Sequence, residues 1–203
     1  MQKSLLRKPE NLHAADRLAA GGFQTRADLG QHFLRSPESA RRLVSRASLP
    51  SGGQVLEVGA GLGTLSATIA EAGHRIWAVE KDPRMGGRLS RALAQFGDRG
   101  RVTIADVRGV DLDQGLDEGS ALLAIMPFDA ALAADLVLHV FSSSRLVRGL
   151  VVLPSAGLAR LEAGSAGVLR VEEVDGISRS DFWPPAPEVL RVVALERSGP
   201  CRR

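Results

Sequence analysis

The chain has 203 residues, of which 44% are hydrophobic and 24% are charged, and its formal net charge of +3 is small; these values are ordinary for a single globular domain with a real core. The first residues lack the apolar stretch of a signal peptide, and Pro127, Asp129 and Asp135 interrupt the most apolar stretch at residues 121–141, which argues against a membrane span. The single cysteine, Cys201, excludes an internal disulfide and a cysteine metal site, so we expect a cytoplasmic protein with neither a metal nor a membrane contact.

The chain begins with a polar, basic segment. Its first fifty residues hold nine lysines and arginines against four acidic residues, an excess of +5. Such a segment can attract a polyanion by neutralising phosphates, with an affinity that falls as salt rises, or it can be a solvated surface. We predict a basic N-terminal arm over residues 1–27, a folded domain over residues 28–197 and a tail over residues 198–203.

Hydrophobic periodicity predicts strands that alternate with helices from residue 54 to residue 153. In chain order we predict a helix that follows Pro37 and ends before Pro50, strand 54–58, helix 64–71, strand 75–79, helix 84–96, strand 102–105, strand 121–126, helix 132–141, strand 146–153, and late strands at 168–174 and 189–195. Because parallel strands need crossover connections, this order predicts an α/β fold with a mainly parallel sheet and helices on both faces. Ligands of such sheets bind at the carboxyl ends of the strands.

A glycine-rich loop lies between the first predicted strand and its helix. The stretch VLEVGAGLG at residues 55–63 contains Gly59, Gly61 and Gly63, whose missing side chains let a backbone approach a ligand closely. The third glycine comes two residues after the second, whereas the dinucleotide fingerprint places it three after, so a nicotinamide or flavin cofactor is disfavoured. The loop is either a ligand cradle or a structural turn.

Acidic residues follow the next two strands. Glu80 ends the second strand, where its carboxylate can accept hydrogen bonds from both hydroxyls of a ribose, although a surface glutamate fits as well. Asp106 follows the third strand and can accept from the amino group of an adenine, or it can cap a turn. Together with the glycine loop, the two acids favour an adenosine-bearing cofactor.

Five motifs follow one another in a specific order: DLGQHFL at residues 28–34, VLEVGAGLGTLS, AVEKD, VTIADV and MPF. In their order and spacing the chain resembles the ribosomal RNA adenine N6-dimethyltransferases, which include the small-subunit dimethyladenosine transferases and the erythromycin-resistance methyltransferases. The resemblance covers roughly residues 28–195. It implies a class I S-adenosylmethionine-dependent methyltransferase fold, Rossmann-like and with seven strands, and S-adenosylmethionine as the cofactor.

The resemblance also implies roles for single residues. Gln31 and His32 would lie over the methionine end of the cofactor, Gly59 to Gly63 would cradle it, Glu80 would hold the ribose and Asp106 the adenine. The catalytic residues would be Met126, Pro127 and Phe128, with the aromatic ring stacked on a flipped base.

The chain departs from the family pattern at the fourth strand. Where the family has an asparagine that accepts a hydrogen bond from the target amine, this chain has Ile125. The carbonyl of Met126 and the ring of Phe128 remain available. Asp129 either replaces the lost acceptor or caps the next helix, and capping is the more common role before an apolar helix.

A second departure lies downstream. The family normally carries a helical RNA-binding domain after the catalytic core, whereas this sequence stops at Arg203. The stretch FWPPAPEV at residues 182–189 resembles a proline-rich corner near the family's active site. We expect one of the two aromatic residues, Phe182 and Trp183, to lie in the core, and the sequence does not tell which.

Three functions are consistent with these features. The first is methylation of adenine N6 in ribosomal RNA, which the order of the motifs and the basic N-terminal region favour. The second is methylation of a small molecule, which Ile125 and the missing RNA-binding domain favour. The third is a non-catalytic protein that binds the cofactor or RNA. We rank RNA methylation slightly first.

Overall fold

Strands and helices alternate along most of the chain in the structure, a computed structural model that describes residues 14–198. The strands are β1 (Phe33–Leu34), β2 (Gln54–Val58), β3 (Arg75–Glu80), β4 (Gly100–Ile104), β5 (Ser120–Ile125), β6 (Leu146–Leu153), β7 (Leu169–Ile177), β8 (Phe182–Trp183) and β9 (Leu190–Arg197). The helices are α1 (Ala14–Ala20), α2 (Pro37–Arg46), α3 (Thr64–Glu71), α4 (Gly86–Leu93), α5 (Leu112–Gly115), α6 (Ala130–Val140) and α7 (Ser155–Gly164).

Seven of these strands form one sheet in the order β4-β3-β2-β5-β6-β9-β7. The pairs from β4 to β6 are parallel, and β9 runs antiparallel to both of its neighbours. The predicted class, a mainly parallel seven-stranded sheet, is confirmed. From β2 the chain runs outward through β3 to β4 and then crosses to β5 on the other side of β2, so a crevice opens between the carboxyl ends of β2 and β5.

Two hydrophobic cores lie on opposite faces of the sheet. Alternate residues of β2 and β3 point to different sides, so that Leu56 and Trp77 pack in one core while Val55 and Ile76 pack in the other. The first core is covered by α5, α6 and α7, and the second is covered by α2, α3 and α4. The predicted helices on both faces are therefore confirmed.

Two-residue strands tie the beginning of the domain to its end. Phe33 pairs with Trp183 and Leu34 pairs with Phe182 in an antiparallel arrangement outside the main sheet. Phe182 is completely buried, whereas Trp183 is half-buried and stacks on Phe33 with ring centroids 6.3 Å apart. Phe182 is thus the aromatic residue of this corner that lies in the core.

The segment before β1 packs against the domain. Ala15 and Leu18 of α1 are buried in a third cluster with Phe33, Leu62 and Met85. At least five of the six described arginines of the basic region form ion pairs with acids. These pairs are Arg26 with Asp28, Arg35 with Asp16, Arg41 with Glu38, Arg42 with Asp181, and Arg46 with Asp175. Residues 1–13, which carry the rest of the predicted arm, lie outside the described residues, as do residues 199–203 of the predicted tail.

Some elements differ from those predicted. The helix predicted over residues 84–96 is a regular α-helix only over α4, because Gly97 adopts φ 55° and the flanking turns are of the 3-10 type. Helix α7 was not predicted. Within residues 14–198 no helix has the length and apolar character that crossing a bilayer requires.

Candidate active site

The carboxyl ends of β2, β3, β4 and β5 surround a single cavity. Nine of the ten residues that the sequence analysis assigns to the site line this cavity: Gln31, His32, Gly59, Gly61, Glu80, Asp106, Met126, Pro127 and Phe128. The tenth, Gly63, does not line it. Its backbone packs against α4, where a Cβ atom would lie 2.9 Å from the Cβ of Ala92.

The glycine loop turns sharply out of β2. The backbone N–H of Gly59 donates to the carbonyl of Val79 on the neighbouring strand at 2.8 Å. Gly59, Gly61 and Gly63 all have positive φ, which side chains strongly disfavour. A Cβ on Gly61 would lie 3.1 Å from the ring of Phe33, so the bare backbone of Gly61 leaves space between the loop and β1.

Glu80 ties β3 to this loop. Its carboxylate accepts hydrogen bonds from the backbone N–H groups of Gly61, at 2.8 Å, and of Asp82, at 2.7 Å. Burial raises the pKa of Glu80, although both N–H groups favour its charged form. Each carboxylate oxygen accepts one of these two bonds.

Gln31 is anchored at both ends of its amide. Its Nε2 donates to Asp82 Oδ2 at 2.5 Å, and its Oε1 accepts from the backbone N–H of Arg26 at 2.9 Å. The Arg84 guanidinium also donates to Asp82 and lowers the pKa of that carboxyl to about 2. Gln31 therefore fixes the segment before β1 onto the end of β3.

Both carboxylate oxygens of Asp106 accept hydrogen bonds from neighbouring residues of the chain. It caps a 3-10 turn by accepting from the backbone N–H of Arg108 at 3.1 Å, and it also accepts from the Arg108 guanidinium and pairs with Lys81 at 3.0 Å. The Arg108 guanidinium holds the pKa of Asp106 well below its usual range. Asp106 thus adopts the capping role left open in the sequence analysis, and any further donor would compete with Arg108 or Lys81.

A buried acid that sequence reasoning did not single out also lines the cavity. Glu57 lies within the apolar strand β2, and its carboxyl accepts a hydrogen bond from the hydroxyl of Ser66. Burial raises the pKa of Glu57 to about 8. The available signal was a lone acid in an otherwise apolar strand, QVLEV.

The segment after β5 forms the far wall of the cavity. The N–H of Met126 donates to the carbonyl of Val152 at 2.8 Å, which continues the pairing of β5 with β6. Phe128 contacts the buried Phe182 edge to face at 5.6 Å between ring centroids. Asp129 accepts from the N–H of Leu132 at 2.8 Å and so caps α6.

The loop before β1 lies across this wall. A Cβ on Gly30 would be 3.3 Å from the Cβ of Pro127, which marks a close approach of the two backbones. The ring of His32 stacks on Phe128 with centroids 4.5 Å apart and an angle of 28° between the planes. Its Nδ1 lies 2.8 Å from the carbonyl oxygen of Pro184. His32 thus covers one face of Phe128.

Among residues 14–198 no group of three or more His, Cys, Asp or Glu side chains is placed to hold a metal ion. The cavity combines two buried carboxyl groups, a glycine loop and an aromatic wall, a set suited to an organic ligand.

Several known proteins are similar to this chain. The sequence model of the family described as Ribosomal RNA adenine dimethylase matches residues 22–170. Ribosomal RNA small subunit methyltransferase A of Rhodococcus erythropolis is 30% identical over 193 residues, which cover 87% of this chain and 64% of that protein. The protein of the same name from Corynebacterium diphtheriae is 31% identical over 178 residues, covering 79% of this chain and 59% of the relative. The chain therefore spans less than two thirds of the length of these curated relatives.

Solved structures share the fold. The 23S rRNA methyltransferase ErmE superposes with a TM-score of 0.71 at 21% identity, covering 84% of this chain and 72% of the other. A dimethyladenosine transferase from Plasmodium falciparum gives a TM-score of 0.69 at 19% identity, covering 82% and 63%. Since the family sequence model extends over well over half of the chain, the chain belongs to the ribosomal RNA adenine dimethylase family.

Proposed function

We propose that the chain is a methyltransferase that uses S-adenosylmethionine and methylates adenine N6 in ribosomal RNA. One observation carries the proposal: the glycine loop, Glu80, Asp106 and the segment from Met126 to Phe128 all line one cavity at the crevice of the sheet. Membership of the dimethylase family and relatives named as ribosomal RNA methyltransferases support the same activity.

The residues of the cavity fit S-adenosylmethionine. The backbone around Gly61 leaves space that a Cβ would fill, and the carboxylate of Glu80, which also lines the cavity, would accept hydrogen bonds from the ribose hydroxyls. Asp106 would accept a hydrogen bond from the adenine amino group once Arg108 or Lys81 no longer donates to its carboxylate. Bound there, S-adenosylmethionine supplies a methyl group on a positively charged sulfur, whose carbon–sulfur bond breaks with its electron pair left on the sulfur.

The residues after β5 would hold the acceptor. The carbonyl of Met126 is an acceptor for an amine, and Phe128 offers an aromatic wall beside the buried Phe182. Because an adenine amine is a weak nucleophile, most of the rate must come from its orientation against the methyl group in a site without bulk water.

Ribosomal RNA is the partner we propose, and a cytoplasmic location follows from it. At least five of the six described arginines of the basic region are paired with acids, so we propose that RNA binding by the N-terminal segment depends chiefly on Lys3, Arg7 and Lys8. The domain boundaries at residues 28 and 197 remain predictions.

A small-molecule acceptor is the second candidate. Ile125 stands where the family has an asparagine, and His32 covers a face of Phe128 on which a base would otherwise stack. An acceptor that is itself a good nucleophile needs less help from oriented polar groups.

Calorimetry and label transfer together test these proposals. The purified chain should bind S-adenosylhomocysteine, and Glu80→Ala should weaken binding by roughly tenfold or more because two buried N–H groups lose their acceptor along with the ribose. The control is Glu38→Ala, an exposed acid on α2. Unchanged affinity in Glu80→Ala contradicts the cofactor assignment.

Labelled methyl groups should then appear in small-subunit ribosomal RNA when the protein is incubated with it and with labelled S-adenosylmethionine. Label in large-subunit RNA would show that the protein methylates that RNA and not the small-subunit RNA. Label only in a metabolite extract would favour the small-molecule acceptor, and label in neither pool would contradict both activities.

A further inference from the structure

We propose that His32 supplies the acceptor for the target amine that Ile125 lacks, and that it takes the amine's proton as the methyl group is transferred. The inference rests on the proposed methylation of an amine. It assigns to the loop before β1 a catalytic residue that the sequence analysis expected only to touch the cofactor.

The aromatic wall has lost its usual polar side chain. Around Phe128 the cavity is lined by the hydrocarbon side chains of Ile125, Pro127, Leu132 and Leu136, together with the thioether of Met126. The nearest acid along the chain, Asp129, is engaged in capping α6. The imidazole of His32 stacks on the ring of Phe128 and so brings two ring nitrogens to this wall.

The hydrogen bond to Pro184 sets the tautomer of His32. A carbonyl oxygen has no hydrogen to donate, so the contact of 2.8 Å requires the proton on Nδ1. In the neutral ring Nε2 then carries a lone pair and is an acceptor. Within residues 14–198 no group donates a hydrogen bond to Nε2.

The same contact orients the ring of His32 at the wall of the cavity. Nδ1 points toward Pro184, which is not part of the cavity wall, whereas His32 itself lines the cavity. The lone pair of Nε2 lies on the far side of the ring and is directed away from Pro184. Stacking on Phe128 fixes the plane of the ring, and the close approach of Gly30 to Pro127 fixes its backbone.

This arrangement performs two tasks. Before transfer, Nε2 accepts a hydrogen bond from one N–H of the amine and so directs the nitrogen lone pair toward the methyl carbon. As the nitrogen uses that lone pair for the new bond to the methyl carbon, the carbon–sulfur bond would break with its electron pair left on the sulfur, and the surplus proton of the nitrogen passes to Nε2. The half-buried imidazolium then releases the proton to water.

Two substitutions separate this role from a structural one. His32→Asn keeps a donor near the position of Nδ1, and hence the bond to Pro184, but has nothing at the position of Nε2. His32→Gln places an amide oxygen near Nε2 and loses the donor to Pro184. If Nε2 of His32 is the acceptor, His32→Asn should lower kcat for RNA methylation by about 10²-fold, the usual effect of losing one oriented polar group. His32→Gln should lower kcat less.

A role confined to anchoring the loop predicts the opposite ranking, and that ranking would overturn the proposal. Adding Ile125→Asn to His32→Asn should recover at least about tenfold in kcat, because the asparagine returns an acceptor to the wall. No recovery contradicts the inference. His139→Asn, on α6 and outside the cavity, is the matched control and should leave kcat unchanged.

Nitrogen NMR tests the inference without turnover. In the full chain loaded with S-adenosylhomocysteine, ¹⁵N-labelled His32, assigned by comparison with His32→Asn, should be protonated at Nδ1. Titration with adenosine monophosphate should shift the resonance of Nε2. A proton on Nε2, or no shift, overturns the inference even if the protein methylates RNA. A shift in a protein that methylates no RNA would overturn the proposed function alone.

Discussion

The carboxyl groups that line the cavity differ in pKa because their neighbours differ. Glu57 lies inside the sheet with one hydroxyl donor, and burial raises its pKa to about 8, whereas the guanidinium of Arg108 keeps the pKa of the half-exposed Asp106 low. At neutral pH the cavity therefore holds a neutral acid next to β2 and a charged one next to β4.

Glu57 makes stability depend on pH. Its pKa in the folded chain, about 8, lies above the 4.5 of an unperturbed glutamate, so the unfolded chain loses this proton first as pH rises. The stabilisation by protonated Glu57 is complete below about pH 4.5 and is lost as pH rises toward 8. Relative to Glu57→Gln, the free energy of unfolding of the natural chain should fall by at most about 1.4 kcal/mol per pH unit across this window.

Urea unfolding of both proteins at several pH values between 5 and 8 measures this difference. The amide oxygen of the glutamine still accepts the hydrogen bond from Ser66, so the comparison isolates the proton. A difference that does not vary with pH would show that Glu57 titrates at its ordinary pKa in the folded chain.

The sequence predicted which single residues lie at the cavity, but it did not predict their hydrogen-bond and ion-pair partners. The order of motifs placed Asp106 and Gln31 at the cavity, yet Arg108, Lys81 and Asp82 hold them there. Such pairings depend on side-chain directions at the ends of neighbouring strands, which periodicity does not encode. Glu57 was missed for a related reason, since an acid in a buried strand is recognised only once its burial is known.

At the scale of elements, long apolar runs were predicted well and short or irregular pieces were not. Strands β2, β5 and β6 are buried on both faces, so each gives a clear run of apolar residues bounded by turns. Helix α7 has the sequence SAGLARLEAG, whose small residues give little periodic signal. The pair of β1 and β8 joins residues about 150 positions apart, and each strand has only two residues.

The contact of the glycine loop with α4 depends on Gly63. Its φ is +80°, and a Cβ would lie 2.9 Å from the Cβ of Ala92 and 3.0 Å from Leu89. Gly63→Ala should lower the free energy of unfolding by about 2–4 kcal/mol, which is the sum of the cost of a left-handed backbone with a side chain and the cost of overpacking against α4. Gly52→Ala, at φ +64° with open space around it, is the control and should cost only about 1–2 kcal/mol.

Equilibrium unfolding in urea gives both values. Equal losses in the two variants would mean that the loop can move away from α4 without cost. In that event the third glycine of the motif would be required for its backbone conformation and not for helix packing.

Over the whole molecule, less positive charge is available to attract RNA than a count of lysines and arginines along the sequence indicates. Ion pairs engage Arg26, Arg35 and Arg46, among other described arginines of the basic region, with nearby aspartates. Some of these pairs bring together segments far apart in the chain, as Arg46 of α2 does with Asp175 of β7. Because the charge of these arginines is balanced by neighbouring acids, we expect attraction of RNA to depend more on other cations.

The dependence of RNA binding on salt tests this distribution of charge. Replacing Lys3, Arg7 and Lys8 together by alanine should reduce the slope of log affinity against log salt concentration by up to about 2, since each phosphate contact contributes about 0.7 for single-stranded RNA. Arg41→Ala, which removes a cation already paired with Glu38, should change the slope much less. An unchanged slope in the triple variant would exclude these residues from the RNA contact.

The pairing of β1 with β8 has a consequence for how the protein is made. Gln31 and His32 immediately precede β1, and the backbone carbonyl that His32 contacts belongs to Pro184, directly after β8. The glycine loop can form early in synthesis, but the segment that closes the cavity gains its partner only after residue 184 has left the ribosome. A nascent chain would thus acquire the cradle first and the closing loop last, so premature release would yield a fragment with an unfinished site.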